Sequence, residues 1–250
     1  MNQNMETLNP ARRVQRVRHE LRRRDVEVVS VQAVGVGFVA ITFGGEALAD
    51  FVSASFDDHV KFILEAGDGA AVRRDYTPRH FDALRRELTL EFALHGDGQA
   101  SNWARTAAPG QAAVIGGPRG SMIVPVDYDW HLLVGDATAL PAIHRRLEEL
   151  PPSAHAIVVL QVPDAADRRS FTTAAQLNLQ WVGSDEALLA AVAALQLPPG
   201  EGYAWCAGEA SVMARVRHML VEDKHHPGVA MRVAAYWKRG VSDHHENLAQ

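Results

Sequence analysis

A change of pattern near Tyr128 constrains the fold more than any other feature of the chain. Upstream, from Asp25 to Leu94, short segments rich in Val, Ile, Phe and Thr follow one another: DVEVVSVQAV, FVAITFGG, HVKFIL, RRDYTPRHFD and LTLEFALHG. Breaks such as Gly44-Gly45 and Gly67-Asp68-Gly69 divide them, which predicts an antiparallel barrel. Short segments around Ala112–Gly116 and Ser121–Val124 close it, and the expected barrel is six-stranded. Between these two and the earlier strands, Ser101 is the expected cap of a short helix from Asn102 to Ala107, ended by Pro109-Gly110.

Downstream the strands WHLLVGD, HAIVVLQV, LQWVG, YAWCAG and VAMRVAAYW alternate with helices such as ALPAIHRRLEEL, DEALLAAVAALQL and EASVMARVRHMLVEDK. That alternation is the mark of βαβ units and a parallel sheet. The predicted fold is β plus α/β: an antiparallel barrel over residues 12–126, then a five-stranded parallel-sheet α/β domain over 127–240.

Composition excludes several functions. A net charge of −5 argues against nucleic acid as partner, although seven of the residues from Arg12 to Arg24 are arginine. That run reads as a solvated basic arm. No apolar run reaches the roughly 20 residues that span a bilayer, and the N-terminus has no apolar secretion signal, so the expected place is the cytoplasm, away from membranes. A single cysteine, Cys206, rules out an internal disulfide and multi-cysteine metal sites, and it reads as a core residue. His225-His226 and His244-His245 lack a third ligand, so no metal is expected. The sequence carries no signal of oligomeric state.

The chemistry-bearing stretch is RRDYTPRHFD. As one strand it puts Arg74 and Tyr76 on one face and Thr77 and Arg79 on the other. Arginine, ring and hydroxyl together suit an anionic, planar ligand, with Arg79 read as a solvated strand residue. Small-residue turns after two parallel strands, Gly135-Asp136-Ala137-Thr138 leading to Pro141 and Ala207-Gly208-Glu209, bring helix N-termini to one crevice where phosphate could sit. Glu209 serves equally as an ordinary first-turn residue. The turn from His95 to Ser101 offers a pyrophosphate cradle, and Gly116-Gly117-Pro118-Arg119-Gly120-Ser121 a tight turn bearing a cation.

These motifs, in this order, resemble the siderophore-interacting proteins, a branch of the ferredoxin–NADP reductase superfamily that reduces ferric siderophores with FAD. The likeness runs from about Arg12 to Gly240 and is carried by Asp57-Asp58-His59-Val60-Lys61, Arg74-Asp75-Tyr76-Thr77, HGDGQASNWA, GGPRGS, GDATALPAI, YAWCAGE and AAYWKRG. The resemblance implies that Arg74, Tyr76 and Thr77 hold the phosphates and isoalloxazine of FAD, with Tyr76 and Thr77 at the reacting face. It assigns His95, Gly98, Ala100, Ser101 and Trp103 to the pyrophosphate and adenine side. Asp136, Thr138, Pro141, Ala207, Gly208 and Glu209 fall in the nicotinamide-nucleotide turns. Lys61, Arg119, Lys238 and Arg239 match the basic residues that attract the anionic ferric chelate.

The implied reaction takes hydride from NADPH, or from NADH as the alternative, and passes single electrons to chelated Fe(III). Two departures stand out. Ala137 occupies the place of a family glutamate, and the chain stops at Gln250, where ferredoxin-using members carry a further helix; that favours direct nicotinamide use over ferredoxin. Arg168 and Arg169 lie in a connecting loop suited to a 2′-phosphate. A flavin or electron-transfer reductase with a protein partner, a non-enzymatic siderophore-binding module and RNA binding through the arginine arm are the alternatives.

Overall fold

The structure, a computed structural model, describes residues 13–65, 71–94, 98–241 and 246–248. Its N-terminal half is built on strands β1 (Gln15–Arg18), β2 (Arg23–Val34), β3 (Phe38–Gly44), β4 (Val60–Glu65), β5 (Ala71–Tyr76), β6 (Pro78–Asp82), β7 (Glu87–Ala93), β8 (Ala112–Gly116) and β9 (Gly120–Ile123). One helix, α1 (Gln99–Thr106), interrupts them. Seven of these strands form an antiparallel sheet in the order β5-β4-β8-β2-β3-β7-β6. Its two edges, β5 and β6, are consecutive in the chain, so the sheet curls until its edges meet at Thr77. That junction is the seam of the barrel.

RRDYTPRHFD is therefore two strands, not one. Pro78 has no N–H to continue a ladder, and it pushes the residue before it out of regular pairing. The alternation of faces expected from Arg74 to Arg79 stops at the seam. The strand count changes with it: β5 and β6 are separate members of a seven-stranded sheet, and β1 pairs with β9 outside it, where a six-stranded barrel is expected. The barrel core is aromatic, with Phe43, Phe62 and Phe92 fully buried and ring centroids 5.1–6.4 Å apart.

Part of the arginine arm is structural rather than solvated. Arg24 is 5% exposed and donates to the Gly117 carbonyl at 2.9 Å. Arg13 pairs with Asp127 and Glu201 and lies over the Tyr128 ring, 4.2 Å from its centroid.

The second half contains β10 (Trp130–Gly135), α2 (Leu140–Glu149), β11 (His155–Gln161), β12 (Gln176–Val182), α3 (Asp185–Ala194), β13 (Gly202–Glu209), α4 (Ala210–His218), β14 (Met231–Trp237) and β15 (Glu246–Asn247). Strand order is β12-β11-β10-β13-β14-β15; the first five are parallel, as the sequence predicts, and β15 adds an antiparallel edge. Every residue of β10 and β13 is buried, which is why both read as unbroken apolar runs. Successive side chains feed opposite layers. Leu133 meets Leu140, Ile143 and Leu147 of α2, whereas Leu132 and Val134 join a cluster with Leu188, Val192, Val212 and Met213 of α3 and α4. Cys206 lies fully buried in the latter layer, and burial pushes its thiol far above the ordinary range. No helix among the described residues is long and apolar enough to cross a membrane.

The α2 layer continues into the barrel through Phe38 and Phe56, and polar contacts lock the halves together. Asp57 accepts the Trp205 indole N–H at 2.7 Å and pairs with Arg232 at 2.8 Å. Asp167 accepts the N–H groups of Val36 and Gly37 at 2.9 and 2.7 Å; a Cβ on Gly35 or Gly37 would come within 2.5 Å of its carboxylate. Arg79, expected to be solvated, instead bridges the halves: both its terminal nitrogens reach Glu148 of α2, at 2.7 and 2.6 Å, and its Nε lies 3.4 Å from Glu91. Arg169 pairs with Glu91 at 2.7 Å and is thereby held at this interface.

Candidate active site

The seam positions the first group of candidate residues. Tyr76 ends β5 with its ring 4.2 Å from Phe92 and edge-on to Phe62 at 6.0 Å. Burial pushes its hydroxyl well above the ordinary phenol range, so the group stays protonated and able to donate. Thr77, 8% exposed, sits at the junction itself. Arg74 stands opposite Phe62 in the β4–β5 register, and its guanidinium donates to the Arg73 carbonyl at 2.9 Å.

Helix α1 shares the same wall. Trp103 lies 4.6 Å from Phe62 and 5.9 Å from Phe92, so the barrel core connects the Arg74–Thr77 stretch to this helix. Ser101 is not the cap. The helix starts at Gln99, two residues before it, with Gly98 at the cap position. Ser101 lies in the first turn and donates its hydroxyl to the Ala93 carbonyl at 3.0 Å, tying α1 to β7. Ala100 and Ser101 are buried. The glycine cap makes no side-chain hydrogen bond to the first N–H groups of α1, and that end carries the positive dipole that suits an anion. His95 lies outside the described residues.

The cations expected at the chelate are placed in different surroundings. Lys61 stands opposite Asp75 across β4 and β5, and its ammonium pairs with that carboxylate at 2.7 Å. Arg119 follows the β8 turn and lines a cleft of about 590 Å³ beside the β1–β9 ribbon, together with Arg16, Arg18 and Arg232 and the carboxylates Asp57 and Asp58. Beneath that wall, Asp58 accepts hydroxyl hydrogens from Ser121 at 2.7 Å and Ser53 at 2.9 Å. Burial raises its carboxyl pKa despite those bonds.

The second group gathers at the carboxyl ends of β10 and β13. Strand order reverses between these two neighbours, the place where open α/β sheets take ligands. Asp136 is buried and knits three strand ends together. One oxygen accepts the Thr138 N–H at 2.8 Å and its hydroxyl at 2.6 Å; the other accepts the Glu209 N–H at 2.9 Å and the Trp237 indole N–H at 2.8 Å. Burial raises the Asp136 pKa against the pull of those donors. Gly208 is required beside it, because a Cβ there would lie 2.6 Å from the carboxylate. Pro141 and Ala207 are buried at the same ends.

Glu209 caps α4 through Ser211 and Val212, at 2.7 and 3.1 Å, and its other oxygen accepts the Arg239 N–H at 3.3 Å. Burial works to raise its pKa, but the hydrogen bonds led by Ser211 outweigh it and hold the carboxyl below the usual range. Both carboxylates thus organise the turns from within. After β14 the chain recrosses these strand ends: Lys238 forms a bridge with Val241, and the Arg239 guanidinium reaches Asp185 at 3.0 Å.

Sequence reasoning missed the interdomain contacts of Asp57, Asp167 and Arg145. Asp57 belongs to a run singled out for its resemblance, but its partners, Trp205 and Arg232, are more than a hundred residues away. His226, one of the paired histidines, is buried with Nε2 2.9 Å from the Ala230 carbonyl; His244-His245 lie outside the described residues.

Comparison with known proteins agrees with this architecture. Residues 128–240 match the family described as siderophore-interacting protein, and residues 65–122 match the siderophore-interacting FAD-binding domain. The chain is 36% identical to an NADPH-dependent ferric-chelate reductase of Escherichia coli K12, covering 92% of this chain and 98% of that one. It is 28% identical to the ferric vibriobactin reductase ViuB of Vibrio cholerae, covering 88% and 91%. The crystal structure of a siderophore utilization protein from T. fusca superposes with a TM-score of 0.86 at 32% identity, covering 92% of this chain and 98% of that one. The likeness thus runs along almost the whole chain, and the protein belongs to the siderophore-interacting protein family.

Proposed function

We propose that this protein is an FAD-dependent reductase of ferric siderophores, drawing on NADPH and releasing Fe(II) from the chelate. The observation that carries the reading is the meeting of a ring, a hydroxyl and an arginine at the barrel seam with an uncapped helix end on the same aromatic wall. That donor set fits a flavin dinucleotide: a planar ring system beside Tyr76 and Thr77, and phosphates near Arg74 and the first turn of α1. When bound, FAD supplies the means to take electrons in pairs from NADPH and hand them singly to ferric iron.

The chain's own residues bind, orient and attract. Residues 12–126 form the FAD unit and 127–240 the nucleotide unit, with NADPH lying over the carboxyl ends of β10 and β13. Thr138 and the backbone of Ala207 and Gly208 face it, while Asp136 and Glu209 hold their turns in shape. Lys61, Arg119 and Lys238 raise the local concentration of an anionic chelate; in the cleft at Arg119 the arginines Arg16, Arg18, Arg119 and Arg232 outnumber the carboxylates Asp57 and Asp58. Ferrous iron is held less tightly than ferric by hard oxygen donors, so reduction frees the metal. The reaction belongs in the cytoplasm, and NADPH rather than ferredoxin is its donor.

The test is steady-state Fe(II) formation from ferric catecholate and hydroxamate chelates with NADPH, read with a ferrous-specific chromophore. Fe(II) release that needs both FAD and NADPH supports the proposal. Protein that takes up FAD yet reduces none of the chelates refutes it.

A further inference from the structure

Recognition of the nucleotide's 2′-phosphate has no source yet among the residues described. Sequence reading points to Arg168 and Arg169 in the loop after β11, but Arg169 is engaged with Glu91 at the domain interface. A different cation occupies the relevant end of the sheet. Gln161, the last residue of β11, donates its side-chain amide to Asp185 at 2.8 Å, and Asp185 holds the Arg239 guanidinium at 3.0 Å on its other oxygen. The Arg239 backbone N–H meets Glu209 at 3.3 Å, so the chain carrying this cation crosses from β14 over the end of β13 toward β11.

In a doubly wound sheet the adenosine ribose lies toward the end of the second strand of the first βαβ unit, here β11. A carboxylate there suits a free 2′-hydroxyl and repels a 2′-phosphate, whereas an arginine there accommodates the phosphate. The two are present together. Arg239 is 72% exposed and Asp185 27%, and an ion pair so open to solvent contributes little to stability and exchanges readily for a stronger anion. We infer that the Arg239–Asp185 pair sets the choice of nucleotide: Arg239 neutralises Asp185 and receives the 2′-phosphate of NADPH, and without it Asp185 turns the site toward NADH. This rests on the reductase reading above, and it assigns Arg239 to the nucleotide rather than to the chelate.

Binding, read without turnover, tests it. Isothermal titration of the FAD-loaded protein with adenosine 2′,5′-bisphosphate and with 5′-AMP isolates the extra phosphate. Arg239→Ala should weaken the bisphosphate about tenfold, the loss of one charge-assisted contact, and leave 5′-AMP unchanged. Asp185→Asn, which keeps the Ser184 cap of α3, should tighten the bisphosphate about threefold by removing a repulsive charge. The KM ratio of NADPH to NADH should shift in the same two directions. Equal affinity of Arg239→Ala and wild type for the bisphosphate overturns the inference, as does the same loss appearing in Arg168→Ala instead. Wild-type protein that binds neither probe overturns the NADPH reading along with it.

Discussion

Arg145 of α2 donates to the Pro78 carbonyl at 2.9 Å, one residue beyond Thr77. The same nitrogen reaches the Ser53 hydroxyl at 2.8 Å, a second reaches the Ser53 carbonyl at 3.0 Å, and Nε pairs with Glu149 at 2.9 Å. The helix that opens from the Asp136–Thr138 turn therefore grips the barrel seam. Arg79, gripped from the same helix by Glu148, adds a second hold on the residues after Thr77. The relative placement of the barrel seam and the carboxyl ends of β10 and β13 depends on this contact.

Arg145→Ala should lower stability by about 2 kcal/mol, since its removal leaves two carbonyls at the interface without their charged donor. Urea unfolding checks that value. Stopped-flow reduction by NADPH should slow more than the NADPH affinity falls, because orientation is lost rather than binding. A parallel fall in both would show that Arg145 does not set the geometry.

Gly208→Ala places a methyl group 2.6 Å from the Asp136 carboxylate. Asp136 or the turn must shift, and with it the ends of β10, β13 and β14 that this carboxylate joins. KM for NADPH should rise about tenfold while FAD content stays at the wild-type level. Loss of FAD from the purified variant would contradict the separation of the two sites.

Asp57 joins the halves through Trp205, which is fully buried, and Arg232, whose side chain is 14% exposed. Asp57→Ala leaves the Arg232 charge without its carboxylate, at a cost of about 3 kcal/mol. Asp57→Asn keeps an acceptor for the indole and should recover part of that loss. Equal denaturation midpoints for the two variants would mean the Trp205 bond contributes nothing.

His131 provides the pH dependence. It is 1% exposed, and burial chiefly, with Arg146 nearby, lowers its pKa from 6.5 to about 3. Below pH 6.5 the unfolded chain takes up a proton that the folded protein refuses until pH approaches 3, so this contribution is complete above 6.5 and lost as pH falls through that window. His131→Gln should remove a slope of about 1.4 kcal/mol per pH unit from the acid side of the stability curve. Parallel curves for variant and wild type would show that His131 is protonated in the folded state.

The two halves and their order were legible because both rest on local pattern: alternating short strands before Tyr128, and fully apolar strands between helices after it. The turns after β10 and β13 were legible for the same reason, since Gly208 and the Asp136–Thr138 turn are defined within a few residues. The break at Thr77 was written in Pro78 but outweighed by the strand-forming run around it. What local pattern could not supply was long-range pairing. Arg79 and the arm arginines Arg13 and Arg24 read as solvated because their partners, Glu148, Glu201 and Gly117, are brought near only by the tertiary fold.

Anaerobic single turnover separates reduction of the bound FAD from reduction of the chelate. The purified protein, loaded with FAD, is mixed first with NADPH and then with a ferric siderophore while flavin absorbance and Fe(II) are followed together. Bleaching by NADPH, return of the oxidised flavin spectrum on adding the chelate, and two Fe(II) released per flavin are the expected results, with Arg74→Ala failing to retain FAD. Flavin that NADPH leaves oxidised, or that bleaches and is not reoxidised by any ferric chelate, would contradict the reductase reading.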